Sequence, residues 1–153
     1  MKGIKGLFGI CGGITYVVIF LGLSSLFTKN SSYLYDMRFG EYLFPPVVMS
    51  IGWLVGSMSL VSLFSLEFTT GINARKIIFF LTFGLLHVIG SFCMFFFRNH
   101  TVSFLIICAI LIMYLVAFSG VQRVYPRFFV INFVYFLWIC LILAQNYFLL
   151  IFN

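Results

Sequence analysis

Charge is what this sequence has least of. Nine bases and three acids make up 8% of its 153 residues, where a soluble domain carries about 25%. The three acids are Asp36, Glu41 and Glu67. They are too few and too scattered to form the paired carboxylates of general acid–base chemistry. The four cysteines, Cys11, Cys93, Cys108 and Cys140, all fall inside apolar runs. With no CxxC pair and no histidine at ligand spacing, they make neither a disulfide framework nor a zinc site. GxSxG, HExxH and phosphate-cradling glycine loops are also missing. These absences count against an enzyme, and no cofactor is expected. No repeat recurs at a fixed period, and there is no inverted pair of broken helices.

What fills the chain instead is apolar: 63% of the residues, with 22 phenylalanines. A chain this short has too much surface to hide that much apolar area from water. The excess has to meet hydrocarbon. The formal charge of +6 does not point to nucleic acid, because the bases sit singly or in pairs at the ends of apolar runs. A nucleic-acid surface gathers them on one wet face.

A helix needs about 20 apolar residues to cross about 30 Å of hydrocarbon. Five stretches meet that length: 7–27, 44–66, 77–97, 102–121 and 128–152. They are read as helices, since lone strands leave backbone groups unpaired in lipid. The ten-residue alternation of a membrane barrel is absent. The fold class is therefore all-α, a polytopic transmembrane bundle forming a single domain over 1–153. It has five spans, or four if the fourth, with its short polar flank before Val102, does not cross. The layout of Lys2, Lys5, an apolar run and Gly22-Leu23-Ser24 also resembles a signal peptide. This segment is counted here as a span.

The breaks carry their own logic. Pro45-Pro46 opens the second span, where a proline in the first turn costs no hydrogen bond. Gly71 and Asn73 break the chain before the third span. Arg98-Asn99-His100 makes a tight polar turn that sets the third and fourth spans antiparallel, and Pro126 separates the fourth from the fifth. Lys2, Lys5, Arg75, Lys76, Arg123 and Arg127 fall on one side of the membrane, against Lys29, Arg38 and Arg98 on the other. Six against three places the amino terminus inside and the carboxyl terminus outside. Tyr33, Tyr35, Tyr42, Tyr125 and Tyr147 fall near the interfaces, where amphipathic rings belong.

His87 is the one ionisable side chain near the middle of a span, and such groups are functional candidates by default. Gly84 and Ser91 share its helix face at i−3 and i+4. With Ser91 and Asn132 it could line a polar path. A lone histidine without a carboxylate partner more often hydrogen-bonds a neighbouring helix as the neutral imidazole. Glu67, at a helix end, is within reach of Arg75 or Lys76 across the second loop, a weak kind of pair. Gly9 with Gly13, and Gly52 with Gly56, form GxxxG faces that let helix backbones approach closely. Ser59 lies close to the second face. Gln145 and Asn146 fall near the outer interface, where they are expected to be hydrated, and Asn132 lies a turn from the inner end. The loop 29–42 mixes charged and aromatic residues; it is the best candidate for a partner surface, although such a stretch is more often a solvated turn or a short interfacial helix. Asn30 and Asn99 match the glycosylation acceptor pattern, hard against the membrane.

These features fit first a non-catalytic membrane protein acting through helix contacts, as a subunit, assembly factor or inhibitor of a membrane complex. The alternative is a small oligomeric channel or transporter with His87 lining a polar path. An intramembrane enzyme using His87 or a cysteine ranks third, because Cys93 and His87 occupy different helix faces. The expected partners are the lipid bilayer and other membrane subunits or further copies of the chain.

Overall fold

The helix boundaries follow from a few capping and turn residues. In the computed structural model, which describes residues 2–29, 46–69 and 71–152, the described residues form five α-helices. They are α1 (Lys2–Lys29), α2 (Pro46–Thr69), α3 (Ala74–Phe95), α4 (His100–Val124) and α5 (Phe129–Phe152). Pro46 is the first residue of α2, where its missing N–H leaves no helical bond unmade. Asn73 caps α3, its Oδ1 accepting from the Lys76 amide at 2.9 Å. Asn99 caps α4 in the same way, accepting from the Val102 amide at 3.0 Å. These caps satisfy amides that the first helical turn orphans. A 3-10 turn at Pro126–Phe128 leads into α5. The loop 30–45, with Asn30 and most of the loop surface singled out above, lies outside the described residues.

Two turn residues adopt left-handed backbone. Arg98 has φ 52° and Gly71 has φ 124°. A methyl group at Gly71 would meet nothing within 4 Å. Gly71→Ala therefore isolates the backbone cost from any packing cost. A loss of about 1–3 kcal/mol is expected, read as a lower unfolding midpoint in detergent.

All five helices are long and apolar enough to cross a membrane. Their packing order is not their chain order. Going round, the helices run α1, α3, α4, α5, α2 and back to α1. Gly9 faces Ser65 and Gly13 faces Val61, so α1 and α2 are antiparallel. Gly90 meets Ile106 between α3 and α4, and Gly52 meets Trp138 between α2 and α5. Alternating helices in a closed ring of five must leave one parallel pair of neighbours. That pair is α1 and α3, where Tyr16 meets Phe80 and Phe20 covers Gly84. Across the centre, α2 also touches α4.

The ring is apolar outside and mixed inside. Phe8 is 73% exposed and Ile112 63%, whereas Ser24, Ser59, Ser103, Asn132 and Asn146 are buried. Water would favour the reverse arrangement. Hydrocarbon favours this one, because a polar atom facing lipid has no partner. The chain is an integral membrane helical bundle.

Candidate functional site

Most serines in these helices bond to their own backbone. Ser24, Ser57 and Ser65 each donate to the carbonyl four residues back, a usual resort for hydroxyls inside a helix. Ser59 and Ser103 do otherwise and reach across to another helix.

Ser59 of α2 donates to Asn132 Oδ1 of α5 at 2.9 Å. Tyr114 of α4, fully buried, donates to the Asn132 backbone carbonyl at 2.8 Å. Its hydroxyl is also 3.2 Å from both Asn132 Oδ1 and Ser59 Oγ. The Asn132 amide nitrogen donates to the Phe128 carbonyl at 2.8 Å, which turns Oδ1 towards the neighbouring helices. One asparagine thus ties three helices together. A second, smaller tie repeats the device further along α5. Asn146 Nδ2 donates to Ile142, and its Oδ1 accepts from Ser103 of α4 at 3.2 Å.

His87 of α3 reaches α5 instead. Its Nδ1 lies 2.9 Å from the Phe83 carbonyl. A carbonyl only accepts, so Nδ1 carries the proton. In the neutral ring Nε2 is then the acceptor, and the Tyr135 hydroxyl donates to it at 3.3 Å. The Tyr135 ring packs edge-on to Tyr114, with centroids 5.0 Å apart. His87 and Asn132 therefore belong to one central cluster, joined through Tyr135 and Tyr114. Ser91, a turn along α3, is half-buried and stands outside its hydrogen bonds.

The glycines fit this centre to its surroundings. Gly9 and Gly13 let α1 lie on the backbone of α2 at Ser65 and Val61. Gly52 receives the face of Trp138, and Gly56 receives Tyr135. Both GxxxG faces thus point into internal contacts. At the end of the bundle Glu67 pairs with Lys76 at 2.9 Å, and Lys76 also donates to the Glu67 carbonyl at 2.6 Å. Lys76 so caps the carboxyl end of α2, where cations are favoured.

Two expectations are corrected. Asn146 and Gln145 are buried instead of hydrated, and Ser103 of α4 covers Asn146. Tyr16, Tyr114 and Tyr135, all buried, were not singled out in the sequence. Tyrosine is common at membrane interfaces, so its presence in a span carries no distinct signal. The one sequence clue was Asn132 on a neighbouring span, which needs a partner once buried.

Chemically the cluster is hydroxyls, an amide and a neutral imidazole, with no charged group in it. Its hydrogen bonds join α2, α4 and α5 at Asn132 and α3 to α5 at His87. Among the described residues no three of His, Cys, Asp and Glu come together as a metal site. Comparison with family models, known proteins and solved structures gives no match.

The Tyr16 hydroxyl is buried and has no hydrogen-bond partner among the described residues. Its ring packs among Phe20, Phe64 and Phe80. An unpaired buried hydroxyl costs about 1–3 kcal/mol. Tyr16→Phe is therefore expected to raise the unfolding midpoint, by about 1 kcal/mol. A fall in the midpoint would mean that the hydroxyl has a partner.

Proposed function

We propose that this protein is a non-catalytic multi-pass membrane protein that acts through helix contacts, as a subunit, assembly factor or inhibitor of a larger membrane complex. The observation that carries this reading is that the polar groups where the helices meet bond across to one another: Ser59 and Tyr114 to Asn132, His87 to Tyr135, Ser103 to Asn146. A conduction path needs polar groups turned towards a solute. Here they close the centre, and the broad apolar exterior is left for other chains. Purified from its own membrane in mild detergent, the protein should run with a second membrane protein at fixed stoichiometry. Recovery of only the 17.6 kDa monomer by native mass measurement would refute the reading.

His87 favours one second reading, a small oligomeric channel or transporter. The imidazole is half-buried and bonded into the centre. In that case His87→Ala would abolish flux in liposomes while the variant stayed folded. Flux at the wild-type level would exclude a path through His87.

The basic residues support an amino terminus on the inner side of the membrane. Single cysteines placed at Arg123 and Arg98 in a cysteine-free background should report opposite sides. In intact cells an impermeant maleimide should label Arg98→Cys and spare Arg123→Cys. The opposite pattern would invert the topology.

A further inference from the structure

The two ends of the bundle carry unequal charge. One end gathers the start of α1, the α2–α3 turn and the α4–α5 turn. Its residues include six bases, Lys2, Lys5, Arg75, Lys76, Arg123 and Arg127, against one acid, Glu67. Among the described residues, the other end of α1 and the α3–α4 turn hold two bases, Lys29 and Arg98.

The single acid at the basic end is already taken. Glu67 pairs with Lys76 inside the helix ends, so it does not neutralise the arginines. Arg75, Arg123 and Arg127 are exposed, and none forms an ion pair within the described residues. They stand on consecutive members of the ring: α3, α4 and the 3-10 turn that opens α5. Around them Ile72, Ile78, Val124 and Phe128 are exposed as well. Apolar side chains interleaved with guanidinium groups match the depth where hydrocarbon gives way to phosphate.

We infer that this end of the bundle binds the phosphate headgroups of anionic phospholipids, with Arg75, Arg123 and Arg127 as the principal contacts. Guanidinium groups hold phosphate oxygens in a two-pronged contact that fixes a headgroup in place. Each basic group near an anionic leaflet is worth about a fivefold preference. The inference stands whether or not the protein has a protein partner.

The test places the full-length protein in nanodiscs of equal phosphatidylglycerol and phosphatidylcholine, then counts the lipids retained on the protein by native mass spectrometry. The wild type should retain phosphatidylglycerol at about fivefold or more over phosphatidylcholine. The triple variant Arg75→Gln, Arg123→Gln, Arg127→Gln should fall to parity, and the corresponding triple lysine variant should keep most of the enrichment. Arg98→Gln, at the opposite end, should match the wild type. Parity in the wild type, undiminished enrichment in the glutamine variant, or an equal fall in Arg98→Gln would each overturn the inference. Should the glutamine variant fail to fold, the wild type in high salt decides. Screening should bring its ratio towards parity, and an unchanged ratio would overturn the inference.

Discussion

Asn132→Leu should destabilise the bundle by about 2–3 kcal/mol, more than any other single change to its polar residues. The side chain is buried at the meeting point of α2, α4 and α5. Leucine keeps the same branched four-atom skeleton, so the main chemical change is the loss of the amide's hydrogen bonds. It removes the Oδ1 acceptor of Ser59, leaving Ser59 and the Tyr114 hydroxyl only each other and the residue 132 carbonyl. Interhelical hydrogen bonds in membranes average about 0.6 kcal/mol and reach about 1.7 kcal/mol. Leaving two buried hydroxyls with fewer partners adds a desolvation cost. Asn146→Leu is the natural control. It strands only Ser103 and should cost about half as much. Combining Ser59→Ala with Asn132→Leu should cost less than the two singles added together, because both remove the same bond. Reversible unfolding in mixed micelles measures all four.

The second large effect is steric. A β-carbon at Gly52 would sit 2.3 Å from ring atoms of Trp138. No real contact is that short, and the indole is buried and rigid, so it cannot swing aside. Gly→Ala inside a helix ordinarily stabilises by about 1 kcal/mol. Here the clash should reverse the sign and cost about 3 kcal/mol, the upper part of the range for overpacked cores. Two comparisons establish the cause. Gly6→Ala, where a β-carbon meets nothing, should give only the ordinary helical gain. Trp138→Leu in the Gly52→Ala background should restore part of the loss, although it is destabilising alone.

The spans themselves were legible because hydrocarbon thickness sets helix length, and the sequence breaks where Pro46, Asn73, Asn99 and Pro126 fall. Each observed helix overlaps its expected stretch. α4 begins at His100, before the expected position 102, because Asn99 alone supplies the cap. The ring order was not legible. In water an amphipathic stripe tells which face of a helix turns inward. In lipid both faces are apolar, and that signal is gone. What remains is sparse: glycines that permit close approach, and single polar residues that must find partners. Gly52 and Gly56 were recognisable as a contact face, but their seating against Trp138 and Tyr135 depends on three-dimensional neighbours. His87 and Asn132 stood out for the same reason, as polar atoms at membrane depth. Their partners Tyr135 and Tyr114 did not, since a buried tyrosine and an interfacial one look alike in sequence. Asn146 misled for a related reason: nearness to a helix end says little when a neighbouring helix still packs at that level.

The most direct test of the account is an oxygen-accessibility scan of α4 by spin labelling in lipid bilayers, with Cys11, Cys93, Cys108 and Cys140 replaced. Labels at Leu105, Ile112 and Val116 should be open to dissolved oxygen and closed to a water-soluble nickel complex. Labels at Ser103, Ile110 and Tyr114 should be closed to both. Uniform oxygen access along the helix, or nickel reaching Leu105 and Ile112, would contradict a ring of helices that turns its apolar side to lipid and its hydrogen bonds inward.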